Sequence, residues 1–299
     1  MNFNLINEPF SLQYTLRHTF SLLVVLSFTA CHTQDEDTKN PVFPVKAVTT
    51  EKTAKPVINK SAKSSKKKKK IYITFDDGPN KGTRTVLNIT QQEQAPVSFF
   101  LVGSHAGGSA EQENTFALLK ASPNVELCNH SYSHANNSYE KFYNNTDSVV
   151  ADFKKARALM QLQNNVSRCP GRNAWRMDSL SVTDIKKSKA AFDSLYSNGF
   201  TIMGWDVEWH FDHKTMKPVQ TPEKMAEEID SLFAKNKTRH LDNIVVLAHD
   251  QAYRKPDDSA ALHRFIKILK NKPEYELEVA SNYPLIAKAE IVPDTINTK

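Results

Sequence analysis

Two adjacent carboxylates, Asp76 and Asp77, follow directly after the short β-branched and aromatic run 71–75. Neighbouring carboxylates repel each other, and a bound cation would stabilise both. One of them could ligate the cation while the other takes a proton from a water molecule. The alternative is a tight turn, since Gly78 and Pro79 come next, but a turn does not require two acids.

The segment 130–134 begins and ends with histidine. Residues four apart share one face of a helical turn, so this spacing predicts that His130 and His134 meet a single ion. The zinc-protease pattern has the same spacing but requires glutamate after the first histidine, where this chain has Ser131. Two ordinary surface histidines are the alternative for the pair taken alone.

His249 follows a late apolar run, 243–248. Histidine exchanges a proton near neutral pH, and active-site groups gather at the carboxyl ends of strands in parallel α/β folds. We therefore expect His249 to donate or accept a proton. A histidine that only caps the strand is the alternative.

The elements that would position these groups alternate along the chain. Runs at 71–75, 97–102, 125–128, 200–205, 243–248 and 275–279 predict strands. Thr221 and Pro222 predict the start of one intervening helix. Apolar residues at helical spacing form three stripes: Val149, Phe153, Ala156 and Met160; Met225, Ile229, Leu232 and Phe233; and Leu262, Phe265, Ile266 and Leu269. The alternation predicts an α/β fold with a parallel sheet, either a barrel or an open doubly wound sheet.

Four short motifs, taken together and in order, resemble those of the NodB-type polysaccharide deacetylases, carbohydrate esterase family four. They are TFDDGP at 74–79, HSYSH at 130–134, RCP at 168–170 and LAH at 247–249. The segment 99–103, FFLVG, is similar to the second strand of that family. The resemblance covers about residues 71–282 and implies a deformed (β/α) barrel.

The first two motifs would carry the metal and the base. The resemblance implies that Asp77, His130 and His134 bind one divalent metal ion, with zinc expected and cobalt as an alternative. It makes Asp76 the general base that activates the attacking water. Ser131 would brace the histidine loop by hydrogen bonds.

The later motifs would complete the site. The resemblance makes Arg168 the residue that orients the base, and His249 the general acid that protonates the leaving amine. It also places Leu247 against the substrate. The third motif departs from the family, which usually has tyrosine where this chain has Gly171. A backbone N–H survives there for the oxyanion, but an aromatic groove wall is lost.

The family has a further motif, usually Asp-Trp, which is its fourth in chain order and precedes the LAH motif. This motif is also altered. This chain offers Glu208 before Trp209, or Asp206 instead, as the acid that pairs with the arginine. We expect Trp209 to form a wall of the substrate groove and leave the acid open. Trp175 is either a second stacking residue or a packed loop aromatic.

Two cysteines, Cys128 and Cys169, stand beside site motifs. Buried free thiols are the expectation, and a disulfide is the alternative in an oxidising compartment.

The N-terminus resembles a bacterial lipoprotein signal. Arg17 precedes a 12-residue apolar stretch at 19–30, too short for a spanning helix, and Cys31 follows small residues. The resemblance implies lipidation of Cys31 and a place in the periplasm or on the outer-membrane surface. An ordinary cleaved signal or an uncleaved anchor is the alternative.

We divide the chain into a signal peptide at 1–30, a flexible Lys-rich tether at 31–70, a deacetylase domain at 71–285 and a tail at 286–299. Residues 1–70 hold 12 Lys and Arg against 5 Asp and Glu, whereas the whole chain has 39 against 33. The net charge of +6 therefore belongs to the tether, which argues against a nucleic-acid partner.

The combined expectation is a metal-dependent hydrolase that removes N-acetyl groups from a polysaccharide containing N-acetylhexosamine. Peptidoglycan, chitin-like oligomers and exopolysaccharide are all open as substrates. An O-acetyl esterase acting on a glycan such as xylan is one alternative. A non-catalytic glycan-binding lipoprotein is another, and the oligomeric state is open.

Overall fold

Strands and helices alternate through residues 67–286, the part of the chain that the computed structural model describes. The strands are β1 Lys69–Asp76, β2 Val97–Leu101, β3 Val125–Asn129, β4 Val166–Ser167, β5 Trp175–Arg176, β6 Ser181–Val182, β7 Thr201–Ile202, β8 Val207–Glu208, β9 Asn243–His249 and β10 Tyr275–Glu278. The predicted signal segment, Cys31, the tether up to residue 66 and the tail from residue 287 lie outside the described residues.

Eight α-helices connect the strands of this region. They are α1 Thr83–Gln92, α2 Gly103–Ala106, α3 Ala110–Ala121, α4 Tyr139–Tyr143, α5 Thr146–Met160, α6 Lys189–Ser197, α7 Pro222–Ala234 and α8 Pro256–Lys270. Short 3₁₀ turns occur at His134–Asn137, Lys186–Ser188, Asp250–Tyr253 and Ala280–Asn282.

The sheet is built around β1. The strand order is β6-β5-β7-β4-β3-β2-β1-β9-β8, and β10 also pairs with β1. Strand β9 runs along one side of β1, while β10 and β2 share the other. These pairings are parallel, as predicted, and only β5 runs antiparallel to its neighbours β6 and β7. This curved, incomplete sheet with its helices is the deformed (β/α) barrel that the family resemblance implies.

Alternation along β1 separates the core from the site. Ile71, Ile73 and Phe75 pack in the main apolar cluster with α1, α7 and α8. Tyr72 belongs to a different cluster, on the other face of the strand. Because strand side chains alternate with a period of two, Thr74 and Asp76 share the face of Tyr72 and line the inside of the barrel.

The predicted helical stripes are buried. All four apolar residues of the α5 stripe and all four of the α8 stripe are fully buried, whereas in α7 only Leu232 is partly exposed. Thr221 caps α7, since its side chain accepts a hydrogen bond from the N–H of Lys224, and Pro222 is the first helical residue. The helix start read from the sequence is therefore confirmed.

The strand predicted at 200–205 is much shorter than expected. Only Thr201–Ile202 pairs as β7. The next carbonyls, those of Met203 and Gly204, accept hydrogen bonds from the side chain of Arg168. The N–H of Met203 still donates to Ser167 on β4, but these two carbonyls bind the guanidinium and not a neighbouring strand.

Both ends of the described region lie at the amino edge of the sheet. Strand β10 pairs with the first half of β1, with Lys69 opposite Tyr275. After β10 the N–H of Ala280 donates to Ser98, near the start of β2. Among the described residues, no helix is long and apolar enough to cross a membrane.

Candidate active site

The first two site residues stand where β1 ends. Asp76 is the last strand residue and is 3% exposed. Asp77 leaves the strand with φ +76°, in the left-handed region. Because this turn interrupts the alternation of the strand, the two carboxylates come together instead of facing opposite ways. Each has an oxygen within 3.6 Å of the same atom, Nε2 of His130.

His105 supports this bend in the main chain. Its Nδ1 donates a hydrogen bond of 2.8 Å to the backbone carbonyl of Asp77. His105 belongs to the short helix α2, which directly follows the second strand. No motif in the sequence identified this residue, because its contact is to a carbonyl and not to a side chain.

The histidine segment is not the helical turn that its spacing predicted. His130 directly follows β3, and Ser131 and His134 both have positive φ, at 66° and 49°. The left-handed backbone continues through Asn137. Oγ of Ser131 accepts a hydrogen bond of 3.0 Å from the N–H of His134, so Ser131 braces the loop as expected.

Asp152 on α5 holds the same loop from the other side. Its Oδ2 accepts hydrogen bonds from the N–H groups of Tyr132 and Ser133, at 2.7 and 3.2 Å. Asn129 adds a third contact, since its Oδ1 accepts from the N–H of Ser131. The loop is fixed by side-chain acceptors in place of helical hydrogen bonds, which explains why both imidazoles still reach one point.

Asp77, His130 and His134 form a cluster that fits a metal ion. Their ligand atoms all lie within 4.8 Å of one another. Asp77 Oδ1 is buried without a hydrogen-bond donor of acceptable geometry, although Nε2 of His134 and Nε2 of His130 lie 3.0 and 3.4 Å from it. Nδ1 of His130 donates to the backbone carbonyl of Arg168 at 2.9 Å, which leaves Nε2 with its lone pair for a metal. One carboxylate and two imidazoles suit zinc or a similar divalent ion.

The electrostatics of the cluster agree with this arrangement. Burial disfavours the charged form of Asp77, but the neighbouring His130 and His134 outweigh it and hold the pKa of this carboxyl well below its usual range. Burial opposes protonation of His130, yet the charges of Asp76 and Asp77 raise its pKa in the metal-free protein. A divalent cation would take the place of the proton that this site attracts.

Arg168 lies fully buried beneath the carboxylates. Its Nη1 donates to Asp76 Oδ1 and to Thr74 Oγ1, both at 2.8 Å. Nε and Nη2 donate to the carbonyls of Met203 and Gly204. The guanidinium also stacks on Phe100, 4.1 Å from the ring centroid. Arg168 therefore fixes one carboxylate oxygen of Asp76 and leaves the other facing His130 Nε2.

Neither acid offered for the fourth motif pairs with this arginine. Asp206 accepts hydrogen bonds from the N–H groups of Arg239 and Val245, and burial raises the pKa of its carboxyl to about 6. Glu208 lies 3.4 Å from Nδ1 of His210. The two backbone carbonyls bound by Arg168 occupy the guanidinium edge that an acid would need.

His249 ends β9 and lies beside the cluster, with Nε2 4.0 Å from Asp77 Oδ2. Its ring packs against Phe211, with 5.0 Å between ring centroids. Nδ1 is buried and has no hydrogen-bond partner among the described residues. Leu247 lies two residues before His249 and therefore on the same face of β9. It is 2% exposed, so it can contribute only to the floor of the site.

The two tryptophans proposed for the groove are buried instead. Trp209 is 2% exposed and packs edge-on against Phe265, with its Nε1 donating to the carbonyl of Gln220. Trp175 is fully buried against Tyr283. The expectation that Trp209 forms a groove wall is therefore wrong, and Trp175 is a packed aromatic.

Gly171 is exposed and has φ +63°. Among the described residues no hydrogen bond engages its N–H, which is thus available to a ligand. A side chain here would crowd the ring of Tyr139, because an added Cβ would lie 3.1 Å from two of its carbons. Burial and the charge of Asp77 raise the pKa of Tyr139, consistent with a position beside the metal cluster.

Cys128 and Cys169 are both buried free thiols. Burial raises the pKa of each thiol, so neither is an activated nucleophile.

Comparisons with known proteins agree with this geometry. Residues 63–176 match the family model described as polysaccharide deacetylase. The chain is 28% identical over 240 residues to the peptidoglycan-N-acetylglucosamine deacetylase of Bacillus cereus, covering 76% of this chain and 77% of that protein. It is 25% identical over 200 residues to the chitin disaccharide deacetylase of Vibrio alginolyticus, covering 46% of this chain. The match spans about half of the Vibrio protein, 47%.

Solved structures share the fold. The catalytic domain of peptidoglycan N-acetylglucosamine deacetylase from Eubacterium rectale has a TM-score of 0.54 at 21% identity, covering 75% of this chain and 94% of that one. A Streptococcus mutans CE4 esterase has a TM-score of 0.53 at 22% identity, covering 71% and 86%.

Proposed function

We propose that this chain, which belongs to the polysaccharide deacetylases of the NodB type, hydrolyses N-acetyl groups on a polysaccharide containing N-acetylhexosamine. The products are acetate and a free amine on the sugar. One observation carries the proposal: the residues needed for the reaction converge at one end of the barrel. They are the base Asp76, the three metal ligands Asp77, His130 and His134, and the acid His249. The relatives named for chitin and peptidoglycan substrates support the substrate class.

The metal would be held by Asp77, His130 and His134. When bound, a divalent cation polarises the acetamide carbonyl and lowers the pKa of water towards neutrality. Zinc is the ion that this donor set favours, and cobalt is a competent substitute. His130 is oriented for this task by its Nδ1 hydrogen bond to Arg168.

Asp76 is placed to act as the general base. Arg168 binds its Oδ1, so only Oδ2 is free to accept a proton from the attacking water. The guanidinium also fixes the plane of the carboxylate, which keeps Oδ2 aimed at the cluster. General base catalysis of this kind contributes roughly 10²–10⁴-fold in rate.

His249 is placed to act as the general acid. It comes from β9, on the opposite side of β1 from β2 and β3, and protonates the nitrogen of the leaving amine. Packing against Phe211 holds the ring in place of a hydrogen bond at Nδ1. The free N–H of Gly171 is the group we assign to the developing oxyanion.

Acetate release from a panel of glycans tests the proposal. The panel holds chitin oligomers, peptidoglycan and acetylated xylan, each with zinc, with cobalt and with a chelator. We expect release from the N-acetylated substrates with metal and none with chelator. Release from acetylated xylan alone would instead indicate an ester hydrolase. Binding without any release would indicate a non-catalytic glycan-binding protein.

We further propose that the protein is an exported lipoprotein anchored through Cys31, on the strength of the apolar stretch and small residues before that cysteine. Cys31→Ser should abolish incorporation of labelled fatty acid and move the protein from the membrane fraction to the soluble one. Unchanged membrane retention in this variant would point to an uncleaved anchor.

A further inference from the structure

We propose that Tyr139 forms the aromatic wall of the sugar-binding groove beside the metal ligands Asp77, His130 and His134, in place of a side chain at position 171. This inference rests on the proposed function, because it concerns the substrate of the same site. It names a residue from outside the four motifs, on the short helix α4.

A side chain at 171 would crowd the ring of Tyr139. A Cβ built on Gly171 would lie 3.1 Å from Cε1 and Cζ of Tyr139 and 3.3 Å from Cδ1. These separations are shorter than carbon atoms normally adopt. The backbone at 171 also has φ +63°, where glycine is favoured. The ring of Tyr139 thus occupies the space into which a side chain at 171 would extend.

The ring of Tyr139 directly contacts one of the metal ligands. It packs edge-on against His134, with 5.9 Å between ring centroids and an interplanar angle of 81°. Tyr139 is only partly buried, and among the described residues no hydrogen bond to its hydroxyl is recorded. Part of this residue is therefore accessible to a molecule bound beside His134.

The ring is also held in place before any ligand binds. The guanidinium of Arg172 lies 5.7 Å from its centroid, within cation–π range. Arg172 is itself fixed, since Nη1 donates to the carbonyl of Gly171 at 2.8 Å and Nε to Ser188 Oγ at 3.3 Å. A ring fixed in this way contributes contact area to a sugar at a low cost in conformational entropy.

Other aromatics near the site are placed differently. Trp205 is partly exposed, but its ring lies 5.8 Å from the guanidinium of Arg168 and not on a metal ligand. Trp175 and Trp209 are buried in the core, at 0% and 2% exposure. Phe211 is partly exposed but packs on His249, which lies on β9 and not on the β3 side of the site. Among these candidates, only Tyr139 offers an accessible ring next to a metal ligand.

Tyr139→Ala and Tyr139→Phe test the proposal, with Tyr196→Ala as the control for loss of a partly exposed tyrosine on α6. The probe is the tetramer of N-acetylglucosamine. Its affinity is measured by calorimetry on metal-free protein, and KM and kcat are measured with zinc. Zinc affinity is measured separately for every variant.

We expect Tyr139→Ala to weaken tetramer binding and raise KM by roughly three- to tenfold, the size of an aromatic contact. Its kcat should stay within about twofold of the wild type, and its zinc affinity should be unchanged. Tyr139→Phe should retain most of the binding, and Tyr196→Ala should match the wild type.

Two results would overturn the proposal. Unchanged tetramer affinity and KM in Tyr139→Ala would show that the ring does not contact the sugar. Weaker zinc binding with a fall in kcat and no change in KM would show that the ring only supports His134. If the wild type binds the tetramer but releases no acetate, only the proposed function is refuted. The role of Tyr139 is then tested by comparing the tetramer affinities of the variants.

Discussion

Arg168 and His130 are joined through the main chain: the carbonyl of Arg168 accepts a 2.9 Å hydrogen bond from Nδ1 of His130. The guanidinium of the same arginine binds Asp76 at 2.8 Å. One residue thus orients a metal ligand with its backbone and the base with its side chain. A displacement of the β4 end that carries Arg168 would disturb both groups together.

Arg168→Ala should lower the free energy of unfolding by about 3–5 kcal/mol, because it leaves the buried Asp76 carboxylate and two carbonyls without their donor. Denaturant titration measures this. The control is Arg264→Ala, whose exposed ion pair with Glu223 should contribute no more than about 1 kcal/mol. Equal losses in the two variants would contradict the structural role of Arg168.

Removing a metal ligand should empty the site. His130→Ala and His134→Ala should each lower the zinc content of the purified protein well below one ion per chain. His263→Ala is the matched control, because this histidine pairs with Glu93, is not one of the three ligands and should keep full zinc content. If both ligand variants retained one zinc per chain, the assigned site would be wrong.

Asp76→Asn should preserve fold and metal while slowing acetate release by roughly 10²–10⁴-fold, since the amide can still accept from Arg168 but cannot take a proton. Metal analysis, circular dichroism and acetate release are measured on one preparation. Turnover near that of the wild type would remove Asp76 as the base.

His249→Ala should show a similar loss of rate with metal content intact, because Nε2 is 4.0 Å from Asp77 and is not needed as a ligand. Metal analysis and acetate release on the same preparation of the variant check this. Turnover near that of the wild type would show that another group supplies the proton.

Asp206 should make stability depend on pH. Burial raises its pKa from 3.8 to about 6 in the folded protein, so folding favours the protonated form. Its contribution is full below about pH 4 and is lost as the pH rises through 6, amounting to roughly 2–3 kcal/mol at most. Unfolding of metal-free protein at pH 4.5 and 7, compared with Asp206→Asn, measures it. A pH-independent difference between the two proteins would contradict the shift.

The sequence predicted the fold well because its signals are local and long. The runs of β1, β2 and β9 and the stripes of α5 and α8 are strongly patterned, and each appears where expected. Strands of two residues, such as β4 and β8, carry no readable pattern. The length of β7 depends on Arg168, 33 residues earlier in the chain, which no local signal reveals.

The site was predicted unevenly for a related reason. Motif residues meet as expected, but the backbone that brings them together was misread: the histidine segment is left-handed and not helical. Asp152 and His105 were missed, because they bind backbone groups of the loops and have no motif of their own. Trp209 was misassigned since sequence does not show which way a tryptophan beside a strand faces.

The adjacency of Lys69 and Tyr275 at the amino edge of the sheet has a practical consequence for handling this protein. The site lies at the carboxyl edge, where Asp76 and His249 end their strands, so Lys69 and Tyr275 lie at the opposite edge of the sheet. A reporter or an affinity tag joined directly to residue 67 or residue 286 would therefore start from the edge of the sheet opposite the site. The same adjacency makes this edge the natural place to join the two ends in a circularly permuted enzyme.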